Sequence, residues 1–238
     1  MKKWFIALLG LALAITVLYP TNSASAEGPP EIVPYTVEKY VDFLEGNGEL
    51  EAAREFESLP KGKQKKILKY LFDPKVLEEM FTAGDGLQVG ESKKLKNGDI
   101  VVSKKRVEKK ESDLVLQNPG EFSIASTTRR KAEYIADHTV LGYAAVRIYT
   151  YVNYETYGTT TVSTVGKTGG EAIRNVNPIL TIVKSDSDSW KSNNKAYGES
   201  YFTWKFGVSG YGYTIGVRRQ VTIGYPSGYD TGYTTIIN

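Results

Sequence analysis

The 238-residue chain contains no cysteine and a single histidine, His138. The first absence excludes disulfides, thiolate nucleophiles and Cys/His dyads. The second excludes a zinc site of the usual kind, which draws on several His or Cys ligands. Any Ser-His-Asp triad would depend on His138 alone. That residue stands in Ala-Asp-His-Thr-Val, between two expected strands, and no serine carries the flanking glycines of a nucleophile elbow. His138 therefore reads as an ordinary turn histidine. Long apolar runs are also scarce. One extends from Trp4 to Tyr19, interrupted only by Gly10 and Thr16, after Lys2 and Lys3 and before Pro20 and Ala24-Ser25-Ala26. This is the three-part layout of a secretory signal over residues 1–26, and it implies a secreted, extracellular protein. A retained anchor is the alternative, for which the run is short. No later segment is apolar enough to cross a bilayer, and no repeat of fixed period is present.

An excess of one charge is missing as well. The formal net charge is +3, and Lys2 and Lys3 of the signal account for two of those charges. Residues 27–121 are slightly acidic and residues 122–238 slightly basic. Neither balance is that of a nucleic-acid binder, and export argues against that partner too. An exported chain of this size without cysteine suits a Gram-positive secretome.

What is present falls into two textures. Residues 27–34 form a proline-rich entry. Four short amphipathic helices are then expected up to residue 84. Thr36 caps the first, with Val37, Tyr40, Val41 and Leu44 inward and Gly46-Asn47-Gly48 at its end. The second has Leu50, Ala53, Phe56 and Leu59 in line. The third follows Pro60 with Ile67, Leu68, Leu71 and Phe72, and the fourth opens at Asp73-Pro74 and stops at Gly84. Lys61, Lys63, Lys65, Lys66 and Lys69 read as a solvated helix face balanced by Glu49, Glu51, Glu55 and Glu57. Residues 85–121 read as a charged linker or edge hairpin. Asn97-Gly98 signals a turn, Lys104-Lys105-Arg106 a linker or edge strand, and Asn118-Pro119-Gly120 the domain boundary.

From residue 122 the chain turns to β formers: 13 of the 17 tyrosines and 13 of the 23 glycines lie here. Strands are expected over 141–157, 159–165, 180–184 and 229–237, with one or two in 122–137. Residues 166–178 and 185–194 read as loops. The strongest signal is 195–223, two alternating runs around Ser209-Gly210 that predict a long hairpin. Its first arm turns Phe202, Trp204 and Phe206 to one side and Tyr197, Glu199 and Tyr201 to the other. In its second arm Val217, Arg219, Val221 and Ile223 share the apolar side, which makes Arg219 the unusual member. The fold class is α+β: a small N-terminal helical region followed by an antiparallel all-β sandwich over residues 122–238.

Candidate chemistry is thin. Glu155, Glu171 and Glu199 are possible glycoside-hydrolysis carboxylates, but nothing in the sequence pairs them. Ser185-Asp186-Ser187-Asp188-Ser189 is rich in oxygen ligands, yet lacks the glycine and closing glutamate of a calcium loop and reads as a polar turn. No cofactor, no metal and no enzymatic activity are expected. The candidate binding residues are aromatic and basic. Tyr143, Arg147, Tyr149 and Tyr151 share one strand face, Tyr197 and Tyr201 another, and Arg218 adjoins Arg219. Such rows either bind sugar rings, membrane interfaces or proteins, or serve as cross-strand packing.

The order Leu141-Gly142, Trp190-Lys191-Ser192, Ala196-Tyr197-Gly198-Glu199 and Gly210-Tyr211-Gly212 resembles that of small secreted β-domain proteins of Bacillus-type bacteria. Within that group it is most similar to the geobacillin and toebicin type of large, unmodified bacteriocins. The resemblance covers roughly residues 122–238 and carries over no functional residues. It implies a toxin acting at the envelope of related Gram-positive bacteria, on membrane, wall glycan or a surface receptor. The alternative is a non-enzymatic wall- or polysaccharide-binding module. Export with cleavage after Ala26 predicts that intact mass of the protein from culture supernatant corresponds to a chain starting at Glu27. A secreted species that retains Met1–Ala26 would contradict it.

Overall fold

Helix caps and proline positions start the fold. A computed structural model describes residues 32–107, 127–208 and 211–237. The expected signal, the Asn118-Pro119-Gly120 turn and the Ser209-Gly210 break lie outside them. Helix α1 (Val37–Gly46) is capped by Thr36, whose hydroxyl accepts from the Lys39 amide at 3.2 Å. Helices α2 (Leu50–Glu57) and α3 (Lys61–Leu71) follow, and α4 (Pro74–Ala83) is capped by Asp73, which accepts from the Lys75 and Val76 amides. Ala52, Ala53 and Phe56 bury the inner side of α2, whereas Leu50, expected in line with them, is 52% exposed. The lysines of α3 do face solvent, but their expected partners differ. Lys66 pairs with Asp99, and Glu55 pairs with Arg174.

The strands form two antiparallel meanders. One sheet contains β1 (Ser92–Leu95), β2 (Ile100–Arg106), β3 (Thr127–Val140), β4 (Tyr143–Tyr157) and β5 (Thr161–Asn175), in that order. The other contains β6 (Leu180–Ser192), β7 (Lys195–Val208), β8 (Tyr211–Gly224) and β9 (Asp230–Ile237). Two segments expected as loops are thus strand. Residues 166–175 continue β5 along β4, and 185–192 continue β6 along β7. Their serines, threonines and glycines are poor local strand formers, and the ladder supplied by the apolar neighbours β4 and β7 overrides that preference. The basic stretch at 104–106 also moves. Asn97-Gly98 does form the turn between β1 and β2, but β2 pairs on both sides and Lys104 is buried.

Three of the register shifts, in β4, β6 and β8, decide where the candidate residues face. In β4, Ala145 has no partner on β3, since His138 pairs with Val146 and Thr139 with Ala144. In β8, Ile215 is skipped between Trp204↔Gly216 and Lys205↔Thr214, and in β6 Ser185 is skipped. Each extra residue inverts the side-chain parity beyond it. The inward set of β8 is consequently Gly216, Arg218, Gln220, Thr222 and Gly224. Arg218 reaches His138 of the facing sheet, and Gly224 lies beneath Tyr154. The expected assignment is reversed: Arg218 faces inward and Arg219 outward.

The helices and the sheets share one core. Tyr40, Phe56, Leu71, Leu77, Met80 and Phe81 pack with Tyr143, Val176, Phe202, Trp204 and Phe206. These contacts place the helical layer over the sandwich end that carries the β3–β4 and β5–β6 turns. At that joint Arg218 is 1% exposed. Its Nε donates to the Phe81 carbonyl at 3.0 Å and its Nη2 to the Met80 carbonyl at 2.7 Å and again to Phe81, so it caps the C-terminal end of α4. The guanidinium lies 4.6 Å from the Trp204 ring centre and 5.0 Å from that of Phe81. Gly84 leaves it room, since a Cβ there would sit 2.6 Å from Nη2. Nη1 is 2.8 Å from His138 Nε2. An arginine only donates, so Nε2 accepts and the ring proton is on Nδ1. His138 is a neutral core residue of β3 and not a turn histidine.

Burial and the Arg218 charge hold the His138 pKa well below its ordinary value. Burial, with Arg218 nearby, depresses Lys104 to about 7, and burial brings Arg218 to about 9. For each group the unfolded chain binds the proton more readily, so stability falls as pH falls. The window is below about 6.5 for His138 and from about 10.5 down to about 7 for Lys104. Burial and Glu133 raise Tyr149 to about 12, which opposes the trend above about pH 10. Denaturant unfolding should thus show stability rising from pH 5 to pH 9, by up to ~1.4 kcal/mol per pH unit for each proton. His138→Gln should flatten the acidic limb and Lys104→Met the limb above pH 7. Variant slopes equal to the wild-type slope would refute the assignment.

Candidate binding surfaces

The outward face of β3 and β4 carries a ladder of rings and charges. Cross-strand register sets Asp137 opposite Arg147, Ile135 opposite Tyr149 and Glu133 opposite Tyr151. Tyr149 and Tyr151 are two apart on β4, and their rings stack at 5.8 Å with 28° between planes. Lys131 Nζ lies 5.2 and 4.9 Å from the two ring centres and 2.9 Å from Glu133. The Tyr149 hydroxyl donates to Glu133 at 2.5 Å. Its raised pKa keeps that hydroxyl protonated at neutral pH. Arg147 and Lys105 flank the buried carboxylate of Asp137 at 3.2 and 3.0 Å. Gly169 of β5 lies under the Tyr151 ring, where a Cβ would approach it to 3.2 Å. Arg147, Tyr149 and Tyr151 therefore do share a fixed, half-buried outer face.

Tyr143 does not belong with them. The Ala145 bulge turns it inward, where it is 1% exposed. Its hydroxyl lies 3.4 Å from that of Tyr40 and donates to the Ala52 carbonyl, joining β4 to α1 and α2. Arg218 is withdrawn from any surface by the same kind of parity change.

The outward face of the second sheet holds Tyr197 and Tyr201. Trp190 of β6 pairs with Tyr197 of β7, and their rings stack 5.2 Å apart with only 6° between planes. Sequence reasoning left Trp190 in a loop. The signal was the alternation of Asp186, Asp188 and Trp190 against Ser187 and Ser189, which the bulge at Ser185 detaches from Leu180–Lys184. Tyr201 donates to Glu199 at 3.0 Å, and Arg219 Nε donates to the same carboxylate at 2.6 Å.

The remaining candidates do not converge. Glu155 accepts from Arg129 and Thr164, Glu171 opposes Tyr149, and Glu199 lies on the other sheet. Tyr149 and Glu155 are six residues apart on β4, so Glu171 and Glu155 are separated by roughly 20 Å. Glycoside hydrolysis needs carboxyls about 5–9.5 Å apart. Asp186 and Asp188 each accept from the next residue's amide at 2.7 Å, within a strand and not a turn. Among the described residues, no three His, Asp or Glu side chains are grouped to hold a metal ion, and no helix is long and apolar enough to cross a membrane. Comparisons with family models, curated proteins and solved structures return no match to this chain.

The Arg219–Glu199 pair on the second sheet is well buried, with Glu199 only 9% exposed. Arg219→Met alone leaves that carboxylate uncompensated and should destabilise the fold by about 2 kcal/mol. Arg219→Met with Glu199→Leu should cost less than the single change in chemical denaturation. A double variant weaker than the single one would show that the pair does not work this way.

Proposed function

We propose that this chain is an exported, non-enzymatic antibacterial protein that acts at the envelope of related Gram-positive bacteria. The resemblance of residues 122–238 to large unmodified bacteriocins supports it. The structural observation that carries it is the Arg147, Tyr149, Tyr151 and Lys131 ladder. Its rings and cations are already held by stacking and by Glu133, so little rotamer freedom is lost when a surface docks on them. Tyrosine supplies an apolar body with a polar tip, and the cations favour the anionic groups of a cell surface. Nucleic acid is not the expected partner. A second reading, a non-toxic wall-polysaccharide module, is favoured by the Trp190–Tyr197 stack, whose flat rings suit the apolar faces of sugars.

Purified protein spotted on lawns of related bacteria should clear them, and heating it first should abolish clearing, since without disulfides only tertiary packing presents the ladder. Tyr149→Ala with Tyr151→Ala should lower potency by about tenfold, a 1.4 kcal/mol loss, with unfolding still cooperative. Glu155→Gln and Glu171→Gln should leave killing within a few-fold. An acid–base catalyst would lose about 10²–10⁴-fold. Retained wall binding without clearing of any lawn would replace the toxin reading by the module.

A further inference from the structure

The helices close one end of the sandwich, and the opposite end is built differently. There β3 begins and the β4–β5, β6–β7 and β8–β9 turns lie, while β2 stops opposite Tyr134. The β8–β9 turn sets the Tyr225 and Tyr229 rings 5.3 Å apart, edge to face. Two cations lie over these rings and a third lies against the turn backbone. Arg106 lies 4.6 Å from the Tyr229 ring centre, Lys195 lies 4.7 Å from that of Tyr225, and Arg130 packs against Gly228 between the two tyrosines.

The turn is stiff. Tyr225 and Tyr229 are joined by a backbone bond of 2.9 Å, Gly228 closes onto the Tyr225 carbonyl at 3.0 Å, and the Tyr154 hydroxyl donates to that same carbonyl at 2.9 Å. Positive φ at Gly228 (+86°) lets the turn come up against the Arg130 guanidinium. The charges are unequal. Asp230 is 4% exposed and bonded to Arg106 at 2.5 Å, so it neutralises that arginine from below. Among the described residues, neither Arg130 nor Lys195 has a carboxylate within 4.0 Å. Arg130 Nε donates to Thr156 at 3.1 Å, which fixes the side chain. Tyr229 is 53% exposed, with Arg106 over its ring and Arg130 at the neighbouring Gly228. The surrounding turn positions Thr159, Thr160, Asn193, Asn194 and Ser227 are polar and exposed.

The geometry points to a binding site at this end for an anionic glycopolymer, with its phosphodiester groups on Arg130 and Lys195 and a sugar or polyol unit against Tyr229. A planar guanidinium forks onto phosphate oxygens, an ammonium adds a point charge, and a ring beside them takes the carbon face of the intervening unit. The polar turn positions named above suit a hydroxyl-rich chain. The assignment of such a polymer rests on the envelope reading above, but the site is separate from the Tyr149/Tyr151 ladder.

The test uses full-length mature protein and soluble poly(glycerol phosphate), with dextran as neutral control and phosphatidylglycerol vesicles as lipid control, followed by calorimetric titration. Poly(glycerol phosphate) should bind and dextran should not, with affinity falling as salt rises. Arg130→Gln with Lys195→Gln should weaken binding at least about tenfold, and Tyr229→Ala by several-fold. Tyr149→Ala with Tyr151→Ala should leave it unchanged. Lys195→Glu is a second, independent probe, since among the described residues Lys195 makes no ion pair that its loss would orphan. Equal affinity in wild type and either charge variant, or binding to vesicles in preference to the polymer, overturns the inference. Wall binding and killing that persist without polymer affinity remove this site and leave the envelope reading. Polymer affinity without killing has the opposite result.

Discussion

The structure turns on a charge in an apolar place. Arg218 carries its guanidinium into the joint between the helical layer and the sandwich, where it meets two carbonyls, an imidazole nitrogen and the faces of Trp204 and Phe81. Among the described residues it has no carboxylate within ion-pair distance. The desolvation cost of such a charge is met chiefly by the free carbonyls at the end of α4, with the two ring faces and the more distant Asp85 charge adding to them. The last turn of α4 gains partners that it would otherwise seek in water, and β8 gains a fixed neighbour on its inner face. Four short helices with a thin apolar inventory would be marginal alone. Bound to β8 through Arg218, and to β4 through Tyr143, they belong to the core that also holds Trp204 and Phe206.

This interaction was invisible in the sequence for a definable reason. Helix boundaries were legible because their signals are local. Thr36, Pro60 and Asp73-Pro74 act on the next few amides. The first arm of the hairpin was legible because alternation runs unbroken from Ala196 to Phe206. Arg218 was misplaced because Ile215 adds one residue to β8, and Tyr143 because Ala145 adds one to β4. A bulge leaves no mark in composition, yet it reverses every residue beyond it. The polar halves of β5 and β6 were lost for a second reason. Their pairing is imposed by β4 and β7, so no local preference reports it.

The same parity rule explains which candidate residues survived. Arg147, Tyr149 and Tyr151 lie beyond the β4 bulge and keep a common face among themselves, so the ladder was found with one wrong member. Tyr197 and Tyr201 lie on β7, whose first half is regular, so both were placed correctly. Trp190 was missed because its partner Tyr197 is fixed across the sheet. A face built by two strands is read from one sequence only when register is known.

Burial separates the cations into two populations with different uses. Inside, Lys104 and Arg218 are held by carbonyls and rings, and low dielectric makes the charged forms costly, which is why their pKa values fall. Outside, Arg147 and Lys131 sit beside Asp137 and Glu133, with aromatic faces completing the contact. The inner set fixes how the layers meet and is closed to a ligand. The outer set and the far end carry cations already held by tyrosine rings, Asp137 or Thr156, so electrostatic attraction at a surface need not first order the side chains. Among the described residues, the exposed aromatic–cation contacts of the strands lie on the outer face of β3 and β4 and at the sandwich end away from the helices.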